Sequence, residues 1–513
     1  MNDATRHPVV QLGDGAVRGT AGNGVAAFLG VPYAAPPFGP NRMRPPQPVT
    51  PWSGERDATA YGPTVPKGDY PPQYQPLFPE VVIAGEDCLN LNVWTPEAAI
   101  TGQVSGLPVL VWIHGGSFMN GSGSVLEYDG GAFARDGVVC VTINYRLAAE
   151  GFLFTGESGP AGDADANLGL QDQLAALRWV QDNIAAFGGD PARVTVAGES
   201  AGAMSVTTLL SMPRSEGLFA QAIAESGAGA HTLTPDEGAM VAGYLAAALG
   251  VPAEREAIKA VPLDKLVRAA SDLVVEVQTT PDPARWGQLT LSLLPFAPTV
   301  DGTVLPAAPL TSIAAGQGRD VPLLIGSNRE EARLFLVAAQ TIGVIDDSML
   351  EAVAAGYGLA GDGLAVYRDA LPGARPGDLM AAVISDWFFR VPAIRVAEAR
   401  TAGAGPASGR TWMYRFDHPE PASNHDLGAC HGVEIPFVFD TAGGADLEPR
   451  LGSQPSQATA NRVHQVWVDF ITRGTPGWAP YDPETRTTGL LTDVVTAAGD
   501  PAGRERAAWD GIR

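Results

Sequence analysis

Two apolar patterns alternate along the first half of the chain. "LPVLVWIH" (107–114) and "GVVCVTINY" (137–145) are unbroken β-rich runs, as expected of strands buried on both faces. "LGLQDQLAALRWVQDNIAAFGGD" (168–190) instead spaces apolar residues at 170, 174, 177, 180 and 184. That is helical spacing, and Gly188-Gly189 ends it. "RVTVAGES" (193–200) then reads as a further strand. Strand, helix, strand in this order predicts parallel pairing through a right-handed crossover.

The stretch from about 230 to 380 is alanine-rich, patterned for helices and broken by Pro and Gly, so it reads as cap-like helical insertions. "VPLLIGSN" (321–328) and "RTWMYRF" (410–416) look like returning strands, and "ANRVHQVWVDFITRG" (460–474) like a late amphipathic helix. No linker separates independent units. The expectation is one α/β domain over 1–513, a central, mostly parallel twisted sheet flanked by helices, with roughly the first seven residues flexible.

Composition narrows the function classes. The chain has 513 residues, 45% hydrophobic and 17% charged, enough to bury a large core. Its net charge is −23 with no basic stripe, which argues against nucleic-acid partners. Lysine occurs only at 67, 259 and 265. Three cysteines, Cys88, Cys140 and Cys430, do not make a disulfide framework and suggest a reducing compartment. The start, MNDATRHPVV, has no signal-peptide core, and no run of about 18 apolar residues exists to span a membrane. The expected location is cytoplasmic.

Gly198-Glu199-Ser200-Ala201-Gly202 fits the G-x-S-x-G nucleophile elbow, where a strand turns abruptly into a helix and exposes a serine hydroxyl beside free backbone N–H groups. The motif alone is weak, since glycine-flanked serines also make ordinary turns. Here it follows a predicted strand and precedes the small-residue segment "AGAMSVTTLLSM" (201–212), which favours catalysis. A serine nucleophile needs a base, an acid to orient it and an oxyanion hole. "VLVWIHGGSFMNGS" (109–122) offers bare N–H groups after a strand, though a plain glycine turn would read the same.

Beyond these motifs the chain resembles the type B carboxylesterases, the cholinesterase-like branch of the α/β-hydrolases, and in particular their para-nitrobenzyl-esterase-like bacterial members. The resemblance rests on "FLGVPYAAPPFGPNRMRPPQP" (28–48), "EDCLNLNVW" (86–94), "NYRLAAEGFL" (144–153), the block 167–202, "FAPTVDGTVLP" (296–306), "IGSNREEARLF" (325–335) and "GACHGVEIPFVFD" (428–440), in the family's order and over nearly the whole chain. It implies an α/β-hydrolase fold and a triad of Ser200, Glu331 and His431. Ala332 stands where the family usually has glycine, which leaves Glu330 as a rival acid. His425 is a rival base, and His425, Cys430 and His431 together would be a conceivable metal set. By the same resemblance the oxyanion donors are the N–H groups of Gly116, Ser117 and Ala201, after Gly115. Glu199 supports the site electrostatically or is a surface carboxylate; Ser205 and Ser226 support the acid or merely pack.

The resemblance also implies ion pairs between Arg42 and Glu86 and between Arg146 and Asp172, and a free, packed thiol at Cys88. Phe118, Trp387, Phe388 and Phe389 are candidate pocket walls or ordinary core aromatics. The implied activity is hydrolysis of carboxylic esters through an acyl-enzyme, without metal or organic cofactor, on a small-molecule ester, by a monomer or homodimer. The alternatives are an amide, carbamate or lactone hydrolase using the same triad, or a non-catalytic binding protein on the same fold.

Overall fold

The computed structural model describes residues 6–78, 80–156, 165–401, 410–417 and 426–513. Of the segment expected to be flexible, residues 1–5 lie outside the described residues, while Arg6 bridges Ala21. Fourteen strands occur among the described residues. They are β1 (Val9–Gln11), β2 (Ala16–Arg18), β3 (Thr20–Gly22), β4 (Val25–Pro32), β5 (Glu55–Asp57), β6 (Asn90–Pro96) and β7 (Leu107–Ile113). After these come β8 (Val139–Ile143), β9 (Gly189–Glu199), β10 (Gln221–Glu225), β11 (Leu323–Asn328), β12 (Thr411–Phe416), β13 (Thr487–Leu491) and β14 (Val495–Gly499).

Eleven of them form one sheet in the order β14-β13-β12-β11-β10-β9-β7-β8-β6-β4-β3. From β8 through β13 every neighbour pair is parallel, and the edges beyond are antiparallel. The cause is legible in the strands. β8 and β11 are buried at every position, as a sheet covered on both faces requires. The helix predicted over 168–190 is α1 (Leu168–Asn183), finished by a 3-10 turn to Phe187. It leads into β9, and the β9–β7 register pairs Ile113 with Gly198. The carboxyl ends of β7, β9 and β11 therefore lie along one rim of the sheet.

Helix α2 (Ala201–Leu210) follows β9 and is buried throughout. The middle of the chain supplies the expected helical excursions, among them α3 (Pro235–Leu249), α4 (Leu263–Thr279) and α5 (Pro376–Ser385). A single π turn, Asp386–Arg390, joins α5 to α6 (Val391–Thr401). The late helix is α7 (Gln457–Arg473). One apolar cluster packs α1, α2, α3 and α4 on one face of the sheet, a second packs α7 on the other, and a third sits within the excursion around Tyr367, Trp387 and Trp509.

Of the two expected ion pairs, Arg146 with Asp172 is present, with Nε and Nη2 each bonded to one carboxylate oxygen at 2.8 and 2.7 Å. Arg42 does not reach Glu86. It binds Glu150 at 2.7 Å and the carbonyls of Lys259 and Val261, because Glu86 sits in an exposed loop. Cys88 is a free, buried thiol, pushed up to about 12 by burial.

Candidate functional site

Ser200 stands at the corner between β9 and α2 with φ 55° and ψ −122°, a conformation that costs a non-glycine residue about 1–3 kcal/mol. The corner is fixed on both sides. Ser200 N–H donates to Glu225 O at 2.9 Å, and Ser200 O accepts from Met204 N–H at 2.8 Å. The glycine two residues on is a spatial necessity, since a Cβ at Gly202 would lie 2.0 Å from Ile113 O. The elbow thus exists because α2 must leave the sheet in contact with the end of β7.

That contact brings the second loop to the same place. After His114 the backbone runs through three consecutive left-handed residues, Gly116 (φ 105°), Ser117 (φ 56°) and Phe118 (φ 59°). Met119 and Asn120 both donate to Gly116 O at 2.9 Å, which closes the loop. Among the described residues the N–H groups of Gly116, Ser117 and Ala201 have no protein acceptor, and Ala201 is the first residue of α2. Gly115 admits no side chain, because a Cβ there would meet Glu199 Oε2 at 2.7 Å. A neighbouring segment pins the loop from outside: buried Lys67 donates to Glu80 at 2.8 Å and to Gly121 O at 2.9 Å, and Gly121 N–H donates back to Glu80.

His431 enters from the loop after β12. Its Nδ1 lies 2.7 Å from Glu331 Oε2, and its N–H donates to Glu331 O at 3.1 Å. Glu331 is fully buried and its Oε1 accepts from Asn328 N–H at 2.7 Å, so the carboxylate is held at the end of β11. Glu330 instead turns outward and bonds Arg329 and Ala429 N–H. With a proton on Nδ1 facing Glu331, Nε2 is left facing the cavity that also contains Ser200. His425 lies outside the described residues, and among those described no cluster of three metal-ligating side chains forms.

Glu199 is buried, not a surface carboxylate, and its Oε1 lies 3.2 Å from His431 Nε2. Burial pushes Glu199 up to about 8. Burial of the His431 ring works downward, but the carboxylates of Glu199, Glu331 and Glu434 outweigh it and hold the ring at about 9. Each group's charge favours the charged form of the other. Ser226 donates to Glu434 Oε1 at 3.0 Å, and Ser205 accepts from Gln173, so neither serine bonds Glu331. Glu434 is a buried member of the site that sequence reasoning missed; burial lifts it to about 7. Its signal was its place three residues after His431 in the same quoted motif.

The cavity over Ser200 measures about 150 Å³ and is lined by Gly116, Ser117, Glu199 and His431 with aromatic walls from Tyr70, Phe78, Tyr128 and Phe335. Of the expected wall residues, Phe389 touches His431, with ring centroids 4.6 Å apart. Phe118 does not line this cavity; its positive φ throws the ring into the core against Phe152 at 4.8 Å. Phe388 packs against Phe389 and Trp387 against Phe388, and none of the three lines this cavity. The aromatic walls that were missed come from the 64–83 segment and from residues beside the two loops, whose spacing carries no periodic signal.

The family model described as "Carboxylesterase family" matches residues 6–492. The chain is 36% identical to the para-nitrobenzyl esterase of Bacillus subtilis (strain 168) over 513 residues, covering 98% of each. It is 34% identical to the phenmedipham hydrolase of Pseudarthrobacter oxydans, again covering 98% of each. A crystal structure of a Geobacillus stearothermophilus carboxylesterase superposes with a TM-score of 0.84 at 35% identity, over 98% of this chain and 100% of that one.

Proposed function

The chain belongs to the carboxylesterase family and is a serine-type carboxylic ester hydrolase of the α/β-hydrolase fold, and from that premise we propose that Ser200, His431 and Glu331 are its catalytic triad. The observation that carries this reading is the 2.7 Å contact of His431 Nδ1 with Glu331, which turns Nε2 toward the cavity holding the strained serine.

Ser200 Oγ attacks the ester carbonyl as His431 Nε2 takes its proton. Glu331 keeps the imidazole in one tautomer and offsets the charge of the imidazolium. The carbonyl oxygen becomes an anion against the N–H groups of Gly116, Ser117 and Ala201. Each such donor contributes about 3 kcal/mol to the transition state, because it is already oriented and unpaired. The alcohol leaves with the proton from His431. A water then loses its proton to Nε2 and attacks the acyl-enzyme, and Nε2 returns that proton to Ser200 Oγ as the acid leaves. No step calls for a metal or organic cofactor.

The aromatic walls support esters whose acyl or alcohol part is a small aryl or benzyl group. The name of the Bacillus subtilis relative supports the same class. Three buried, unpaired cysteines support a reducing, cytoplasmic setting.

The test is turnover of p-nitrophenyl acetate. Ser200→Ala is expected to lower kcat by roughly 10⁴ to 10⁶. Undiminished activity in that variant rejects the triad.

A further inference from the structure

The turn that delivers Phe389 to His431 is an irregular one with a sequence cause. In a regular helix the carbonyl of Phe388 would accept from the residue four positions on, but that residue is Pro392, which has no N–H. The turn widens, and Val391 N–H passes over Trp387 to bond Asp386 O. Two carbonyls in a buried region are thereby left without their helical donors. Both are taken by side chains from far along the chain. Arg513 Nε donates to Trp387 O at 3.1 Å, and His231 Nε2 lies 3.0 Å from Phe388 O.

These two side chains are joined to each other. Arg513 Nη2 lies 3.3 Å from both His231 Nδ1 and His231 Nε2. A carbonyl only accepts, so the ring proton must sit on Nε2, aimed at Phe388 O, and Nδ1 is left as the acceptor for the arginine. Burial first, and the arginine's charge next, pull His231 down to about 3, so the ring stays neutral and this tautomer persists. The same groups grip the turn's rings. Arg513 lies 4.2 Å over Trp387, against which Tyr357 stacks at 4.3 Å. His231 stacks on Phe388 at 4.0 Å, Phe388 meets Phe389 at 4.7 Å, and Phe389 meets His431 at 4.6 Å.

We propose that Arg513 and His231 form a clasp that holds this wide turn and, through Phe389, sets the orientation of the His431 imidazole. Both are positioning residues: neither lines the cavity over Ser200. The inference rests on His431 being the base, as the proposed function has it.

Steady-state kinetics on p-nitrophenyl acetate, with active-site titration and a thermal melt for each variant, test it. Arg513→Met and His231→Asn are expected to lower kcat roughly 10- to 100-fold, since a misplacement near 1 Å is costly, while KM moves less than about threefold. His231→Gln keeps an N–H near the Nε2 position and is expected to lose less than His231→Asn, whose shorter amide cannot reach Phe388 O. In a Phe389→Leu background, Arg513→Met should add less than about a twofold further loss, because coupled residues are not additive. The proposal is overturned if kcat is unchanged in Arg513→Met or His231→Asn, or if the loss persists in full in the Phe389→Leu background. Equal kcat for His231→Gln and His231→Asn also overturns it, and that comparison decides alone if Arg513→Met does not fold. A wrong triad shows differently, as activity surviving Ser200→Ala.

Discussion

Replacing Glu199 by glutamine removes one negative charge beside the proposed base and keeps the side chain's shape. Glu199 Oε1 lies 3.2 Å from His431 Nε2, with both side chains less than a tenth exposed. Coulomb's law brackets unit charges at that separation between about 1 kcal/mol in water and about 5 kcal/mol at an effective dielectric near 20, or roughly 1 to 4 pKa units. Opposite charges this close shift groups in proteins by about 1–3 units. The sign follows from the proposed role of His431 as a base, active only when neutral. In the native enzyme the ring is held at about 9, so kcat/KM is expected to climb with pH toward that value. Without the Glu199 charge the acidic limb should move to lower pH by about 1–3 units. Stability follows the same linkage. The folded value of His431 lies above its ordinary 6.5, so its contribution is complete below about 6.5 and is lost as pH rises through about 9. Glu199, itself raised from 4.5 to about 8, adds a fall in the same direction over its own window. The fall in Tm between pH 6 and 9 should therefore flatten in Glu199→Gln. Profiles of kcat/KM and of Tm against pH measure both. An acidic limb that stays in place, or moves upward, refutes the reasoning.

Glu331→Gln is expected to lower kcat by roughly 10³ to 10⁴ by destroying the acceptor for Nδ1–H, whereas Glu330→Gln, outward and bonded to Arg329, should stay within a few-fold on the same assay. Asp172→Asn leaves Arg146 buried without its counter-charge and should cost about 3–5 kcal/mol in chemical denaturation. In the same measurement Glu86→Gln should be silent, because Arg42 is held by Glu150 and not by Glu86.

The parts of this enzyme that were legible in sequence are those made by short, contiguous pieces of chain. β7 and β11 announce themselves as apolar runs, and the elbow at Ser200 is a strand, a pair of glycines and a small-residue helix in direct succession. The triad order and the choice of His431 came from the family resemblance, since neither burial nor spacing singles out one histidine. What was misread depends on backbone direction or on distant partners. Phe118 sits beside the proposed oxyanion loop in sequence, yet three successive left-handed residues, itself the last, rotate its ring away from the cavity. Arg42 finds its carboxylate 108 residues away, and the orphaned carbonyls of the π turn find their donors at positions 231 and 513. Pro392 was a visible cue for a broken turn, but not for what would fill it.

Glutamates crowd this site, and residue type does not say which of them is charged. Glu225 is completely buried, accepts one bond from Trp467 at 2.7 Å, leaves its other oxygen unpartnered, and is driven by burial well above the ordinary carboxyl range. Burial favours its neutral form, and it acts as a polar strut behind the Ser200 corner, to which its backbone carbonyl is bonded. Glu434 is raised as well, yet Asn328 and Ser226 both donate to it, so it holds less of that upward pressure. Glu331 differs in receiving a backbone N–H on one oxygen and the imidazole on the other. Both of its oxygens thus meet donors fixed before substrate arrives. The same side chain thus orients the proposed base, stands beside it, and braces the Ser200 corner. The division follows from which donors each carboxyl meets and how deeply it is buried, as paired carboxyls in other enzymes are set apart by their surroundings.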